Sequence, residues 1–172
     1  MKKKIYIGII IAFVVVDLVL CYFAFIKKDT IENKTFKNSY IEFVYTDDYA
    51  IKERENKISI GKDEKKGQID IIITELEEDV VKRDNDFIIL EANEEFEKNN
   101  SDYFMDYYGE YKVNDYVVKD FLYKNPKDGK QIDFNYIIHD GKLILISYVN
   151  KNEYFDLYEY KVIDIIKSLK IS

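Results

Sequence analysis

The chain begins with one long apolar run and then changes to short alternating segments. From Ile5 to Ile26 the only ionisable side chain apart from Tyr and Cys is Asp17. A helix over that run would rise roughly 33 Å, enough to cross the hydrocarbon core of a bilayer. Fifteen of its 22 residues are Ile, Val, Leu or Phe. Each favours insertion at the membrane centre by about 0.3–0.6 kcal/mol, against roughly 3 kcal/mol opposed by Asp17. Insertion wins. Tyr6 at one end and Tyr22 with Phe23 towards the other suit the interfacial belts.

A cleaved signal peptide would carry a shorter apolar stretch, about 7–15 residues, and small residues at its cleavage site. Tyr22 before Ala24 fits that poorly. Leu18-Val19-Leu20-Cys21 resembles a bacterial lipobox, but Leu20 is bulky where such motifs carry a small residue. The expectation is an uncleaved anchor, with lipidation of Cys21 left open. Lys2, Lys3 and Lys4 precede the run, and Lys27 and Lys28 follow it, so flanking charge does not choose an orientation. A short basic start is how a signal-anchor begins, and long domains translocate largely regardless of charge. This places the amino terminus in the cytoplasm and the large domain outside, on a single-pass protein of the cell membrane. Asp17 lies near the bilayer midplane. It is either a contact for a partner's helix or a protonated, tolerated residue.

Residues 1–28 thus form the basic segment and anchor, 29–38 a polar linker, and 39–172 an extracytoplasmic domain. Within that domain Tyr40 to Tyr45 alternates, with Ile41, Phe43 and Tyr45 on one face, the mark of a half-buried strand. Ala50–Arg54, Lys57–Gly61 and Gln68–Glu75 read as further strands, with Asp63 to Gly67 as a charged hairpin loop. Phe87 to Asn100 is rich in helix formers. Ser101 is placed to cap a second short helix ending at Gly109, with Phe104 and Tyr108 on one side. Strands return at Tyr111–Val113, Tyr116–Tyr123, Gln131–Ile138 and Lys142–Val149. Gly129 and Gly141 mark two of their turns. Asn152 opens a closing helix whose Phe155, Tyr158, Val162, Ile165, Ile166 and Leu169 make one apolar stripe. The predicted fold class is α+β: a mainly antiparallel sheet with a middle helical segment and a C-terminal amphipathic helix, helices packed on one face.

Charge sharpens this division. The whole chain is −7, but residues 29–172 hold 32 acidic and 21 basic residues, a net of −11. Such an acidic domain is a poor partner for nucleic acid, which needs clustered Lys and Arg. The single Cys lies inside the apolar run, so the domain contains no disulfide, and one His rules out a multi-His metal site.

Three segments carry a resemblance to a known family. Asn38-Ser39-Tyr40-Ile41-Glu42-Phe43 enters the first strand, Glu91-Ala92-Asn93-Glu94-Glu95-Phe96 lies in the middle helix, and Ile165-Ile166-Lys167-Ser168-Leu169-Lys170 closes the last. With the order of elements between Tyr40 and Ile171, the chain resembles the Mog1/PsbP-like α+β fold of small exported bacterial proteins. Where that family often has Pro before an aromatic, this chain has Thr46-Asp47-Asp48-Tyr49. The resemblance implies an architecture and a binding or assembly role rather than one chemistry.

The side chains supply no ordered catalytic set. His139 reads as a solvated turn residue, the serines sit in no nucleophile elbow, and the glycines form no phosphate loop. No catalytic, cofactor or metal residue is assigned. Acidic runs at Glu75 to Asp79, Asp47-Asp48 and Asp84 to Asp86 lack calcium-loop spacing and read as solvated surface. Tyr is in excess, with 16 residues and no Trp. Tyr103, Tyr107 and Tyr160 are the surface-contact candidates, because inward placement of Phe104 and Tyr158 would leave them outside.

Two function classes follow. One is a membrane-anchored, non-enzymatic interaction module whose partners are the lipid bilayer and an envelope protein. The other is a carboxylate-dependent enzyme or a cation-binding protein. A membrane-impermeant amine reagent applied to whole cells is expected to modify lysines beyond residue 28; protection of all of them would reverse the orientation.

Overall fold

The computed structural model describes residues 32–61 and 65–172. The segment read as the anchor, with Asp17 and Cys21, and the tip of the charged hairpin lie outside the described residues. Among the described residues no helix is long and apolar enough to cross a membrane.

Five strands come first: β1 Asn33–Lys37, β2 Ile41–Thr46, β3 Ala50–Arg54, β4 Lys57–Gly61 and β5 Gln68–Glu75. Two helices follow, α1 Glu78–Val81 and α2 Asn85–Asn99. A meander of β6 Phe104–Val113, β7 Tyr116–Asn125, β8 Lys130–His139 and β9 Lys142–Lys151 leads to α3 Asn152–Tyr158, α4 Tyr160–Ser168 and β10 Lys170–Ile171. Strands β3-β4-β5-β9-β8-β7-β6 form one sheet and β1-β2-β10 another. The neighbours pair antiparallel throughout. The chain is α+β, mainly antiparallel sheet with a middle helix and a C-terminal helical segment.

Four details differ from the pattern reading. Asn33–Lys37, inside the expected linker, pairs with β2 in full register from Asn33↔Thr46 to Lys37↔Glu42. The expected second helix from Ser101 to Gly109 is instead the first half of β6. Tyr103, Phe104, Tyr107 and Tyr108 favour strand, and Asn114 at positive φ turns β6 back onto β7. A register shift between Met105 and Tyr107 breaks the alternation, so Phe104, opposite Lys124, and Tyr108, opposite Phe121, lie on different faces of the strand. The closing helix is interrupted at Glu159, between α3 and α4. Lys151 takes the cap position before it, and the Asn152 N–H donates to the Gly129 carbonyl at 2.8 Å.

The fourth difference is that helices cover both faces of the large sheet. On one face Phe155, Val162, Ile165 and Ile166 of α3 and α4 pack with Ile69, Ile71, Ile144, Ile146 and Tyr148, joined by Ile41 and Phe43 from the small sheet. On the other, Ile89, Ala92 and Phe96 of α2 pack on Phe121, Tyr123, Phe134 and Tyr136. Alternate side chains of a strand point to opposite faces, so both residue sets come from the same strands. Ser168 ties α4 to β2, its hydroxyl accepting from the Val44 N–H at 2.9 Å.

Phe155 is the largest α3 side chain in the core and stands 4.9 Å, ring to ring, from Tyr148. Phe155→Ala should cost about 3–5 kcal/mol in urea denaturation. Leu157→Ala, at an exposed position of the same helix, should change stability by no more than about 0.5 kcal/mol.

Candidate functional site

Strand β6 ends the seven-stranded sheet. Its inner edge bonds to β7; its outer edge has no strand beside it among the described residues. Phe104, Met105, Tyr107 and Tyr108 along it are each about half exposed, from 49% to 52%. Such an edge presents a row of backbone donors and acceptors together with aromatic side chains. Tyr107 and Tyr111 face the α3–α4 side, through their register with Leu122 and Val118. A Cβ on Gly109 would stand 2.0 Å from the Tyr107 hydroxyl, so the absence of a side chain there lets Tyr107 lie along the strand. On the α2 side Tyr108 packs on Phe121, with ring centroids 4.7 Å apart.

Beside this edge, on the α3–α4 side, a polar group is built into the sheet. Asp133 on β8 is 6% exposed. Its Oδ2 accepts from the Asn135 side-chain amide at 2.6 Å, and Asn135 Oδ1 accepts from the Tyr111 hydroxyl at 2.7 Å. Asp120 on β7 lies opposite Asn135 and hydrogen-bonds to Asp133. Two carboxyl groups in that contact hold a proton between them. Burial, and then the hydrogen bond and charge of Asp120, push Asp133 well above the ordinary carboxylate range. Burial raises Asp120 too, while its bond from Asp133 works the other way. Both carboxyls are raised, and the pair shares one proton. Glu159, at the α3–α4 break, is also raised, by burial and then by Asp156 and Asp120.

Chemically the pair is committed. Its hydrogen bonds run to Asn135 and between its two members, and neither carboxyl lines the cavity between β2 and α4 or the one beside the β4–β5 hairpin. Among the described residues no group of three or more His, Cys, Asp or Glu is arranged to hold a metal ion. The acidic runs have structural partners: Asp84 caps α2 by accepting from the Asp86 N–H, Asp86 pairs with Lys119 at 3.0 Å, and Asp48 accepts from Thr46 and Lys66. His139 ends β8, just before the β8–β9 turn, with its ring edge on to Tyr116 at 5.1 Å.

The three tyrosine candidates occupy three settings. Tyr103 is half-buried, its ring 5.7 Å from Phe96 on the α2 side. Tyr107 lies exposed on β6, on the opposite side of the sheet. Tyr160 opens α4, exposed, with the Lys161 ammonium 4.9 Å from its ring centroid. Phe104, expected inside a helix, is exposed because β6 is an edge strand. The Asp120–Asp133 pair escaped the pattern reading, because its members stand singly in different strands and not in an acidic run. Asp120 gave one signal, standing between Val118 and Leu122 on its face of β7, whereas Asp133 stands between Gln131 and Asn135 and reads like part of a solvated face.

No protein-family model matches the sequence, and no curated protein matches it. Solved structures do. Cyanobacterial PsbP from Synechocystis sp. PCC 6803 superposes with a TM-score of 0.62 at 12% identity, over 85% of this chain and 96% of that one. The fold is PsbP-like. LpqN, involved in cell envelope biogenesis of Mycobacterium tuberculosis, gives 0.58 at 9% identity, over 86% and 95% of the two chains. A Bacteroides thetaiotaomicron protein gives 0.58 at 11%, with 83% of this chain matching 49% of that one. The PsbP-like fold positions β6 at the sheet edge and the carboxyl pair behind it; identities this low extend the likeness to the fold alone.

A carboxyl raised by folding stabilises the native state fully only below its unfolded pKa, and that stabilisation is lost as pH rises towards the folded value. Asp133→Asn keeps the shape and removes the proton. Wild type should therefore gain stability, relative to this variant, as pH falls from about 7.5 to about 5. Glu42, held at about 2 by Lys170 and then Lys37, acts in the opposite sense but below that window. Parallel pH-dependent urea melts that show no difference in slope would show that the pair holds no raised proton.

Proposed function

We propose that the chain is a single-pass, membrane-anchored envelope protein whose PsbP-like domain stands outside the cell and acts as a non-enzymatic interaction module. The observation that carries the reading is the outer edge of β6. It is a ten-residue edge strand with aromatic side chains on both faces. The occupant that fits it is an extended segment of an envelope protein, adding a strand through backbone hydrogen bonds while Tyr107 and Tyr108 grip alternate side chains. Tyr is suited to this, since it offers a rigid ring and a polar tip. The apolar run Ile5–Ile26 supports the anchor, and Asp17 within it supplies a candidate second contact to the same partner in the bilayer. LpqN's involvement in cell envelope biogenesis agrees with this setting.

The competing class, a carboxylate-dependent enzyme or cation-binding protein, draws its support from the Asp120–Asp133 pair. That pair spends its hydrogen bonds within the sheet, which favours the interaction reading.

A photoreactive phenylalanine analogue placed at Tyr107 in the full-length protein, in intact cells, should crosslink to a discrete partner. The same analogue at Leu157, exposed on α3, should not. Replacing Phe104 and Tyr108 by Lys, the usual guard of a free edge, should reduce the Tyr107 crosslink at least about tenfold. Equal crosslinking from Tyr107 and Leu157, or no loss in the Lys variant, would overturn the reading.

A further inference from the structure

The Asp120–Asp133 pair is tied to the edge strand. A hydrogen bond between two carboxyl groups exists only while one of them carries a proton, and this bond joins β7 to β8. Tyr111 on β6 stands opposite Val118 of β7, yet its hydroxyl reaches past β7 to Asn135 on β8, at 2.7 Å. Asn135 in turn donates to Asp133. The Tyr111 phenol is thereby close enough to feel the charge of both Asp120 and Asp133. Tyr107 lies along Gly109, the residue opposite Asp120. Two tyrosines of β6 thus flank the pair.

Loss of the proton leaves two carboxylates side by side in a buried place. The groups that face them offer no countercharge. On β7, four residues either side of Asp120, the Tyr116 hydroxyl accepts from the Ile171 N–H and Lys124 is held by Asp106 at 2.6 Å. From β9 comes Tyr148, and from α3 and the α3–α4 break come Asp156, Tyr158 and Glu159. Water must therefore solvate the ionised pair, and the covering that is least firmly held gives way. Helices α3 and α4 are seated by Phe155, Val162, Ile165 and Ile166, each at most 3% exposed. Strand β6 is bonded along one edge only among the described residues, and its pairing is already broken by a register shift. It yields first.

We propose that the proton shared by Asp120 and Asp133 gates the β6 edge: while the pair holds it, β6 is fixed for docking, and when the proton leaves, β6 loosens and the hold on its partner weakens. The gate rests on β6 being the contact strand, and it makes that contact sensitive to the pH outside the cell.

Hydrogen exchange of the full-length protein in lipid nanodiscs tests the gate without a partner. Protection factors, corrected for the chemical exchange rate, would be compared at about pH 6 and about pH 9, a range that spans the titration of buried carboxyls. At the higher pH the β6 amides should lose protection at least about tenfold, while those of β4 and β5 change less than about twofold. In Asp133→Asn, whose amide can donate to Asp120 at any pH, β6 protection should be the same at both values, and Asp120→Asn should behave alike. Unchanged β6 protection in wild type, an equal loss in β4 and β5, or an equal loss in the two variants overturns the proposal. The Tyr107 crosslink in intact cells should weaken at the higher external pH. A crosslink of equal strength at both values overturns the gate and leaves β6 as the contact. A missing crosslink at both, with the exchange pattern as expected, overturns the contact reading while supporting the proton's hold on β6.

Discussion

Strand β8 has no side that faces water. From Gln131 to Ile137 seven consecutive residues are buried, and successive side chains enter two different cores. A strand covered on both faces normally reads as a continuous apolar run. This one carries Gln131, Asp133 and Asn135, all on the α3–α4 side. Burying such groups is tolerable only if their hydrogen bonds are made inside the protein. The chain Tyr111–Asn135–Asp133–Asp120 makes them for Asp133 and Asn135, reaching across β6, β7 and β8. The polar ladder and the cores are therefore one solution: the strand can sit centrally because its neighbours answer its polar side chains.

The opposite face meets a similar demand with ions. Lys119 on β7 is 7% exposed, below α2, and bonds to Glu110 on β6 and to Asp86 in the first turn of α2. The Glu110 carboxylate raises its pKa, against burial, which favours the neutral amine. A carboxylate in the first helical turn also complements the helix dipole. The cluster fixes the start of α2 against the outer two strands. It leaves Phe104, Met105, Tyr107 and Tyr108 as the uncovered part of β6. Support for the edge is thus polar and internal, while its outward surface is aromatic. Internal polar support of this kind lets an edge strand hold its shape with no strand on its outer side.

Much of this architecture was legible from local pattern. Ile69-Asp70-Ile71-Ile72-Ile73 could only be a strand, and Asp140-Gly141 a hairpin turn; both residues of that turn have positive φ. What failed depended on partners distant in sequence. Asn33–Lys37 has little periodicity of its own and is a strand because β2 lies beside it. Phe104 and Tyr108, four apart, suit one side of a helix, but a register shift puts them on opposite faces of β6. The expectation of helices on one face failed because α2 has a broad polar surface and a modest apolar one. Its place is decided by Phe121, Tyr123 and Phe134, which face away from the other core. The site was less legible still. Tyr107 was picked out as outward-facing on the premise of a helix, and it is outward-facing on a strand. Asp120 and Asp133 could not be joined without the β7–β8 register.

The proton on the Asp pair follows from what surrounds it. The ionisable groups acting on it from the packed elements are Tyr111 on β6, Asp120 on β7, and Glu159 at the junction of α3 and α4, with Asp156 behind Glu159. Tyr148 on β9 faces the same side and is likewise pushed up, to about 12, chiefly by burial. None of these is a cation. Where Asp48 has Lys66 and Asp70 has Lys57, Asp133 has no cationic partner among the described residues, only the Asn135 amide and neighbouring acids. A carboxylate in that setting can be neutralised only by keeping its proton, since ionisation would add charge to a buried acidic group. The break at Glu159 sets one more acid above the pair, so the seat of the C-terminal helices and the protonation of the sheet beneath them are one electrostatic problem.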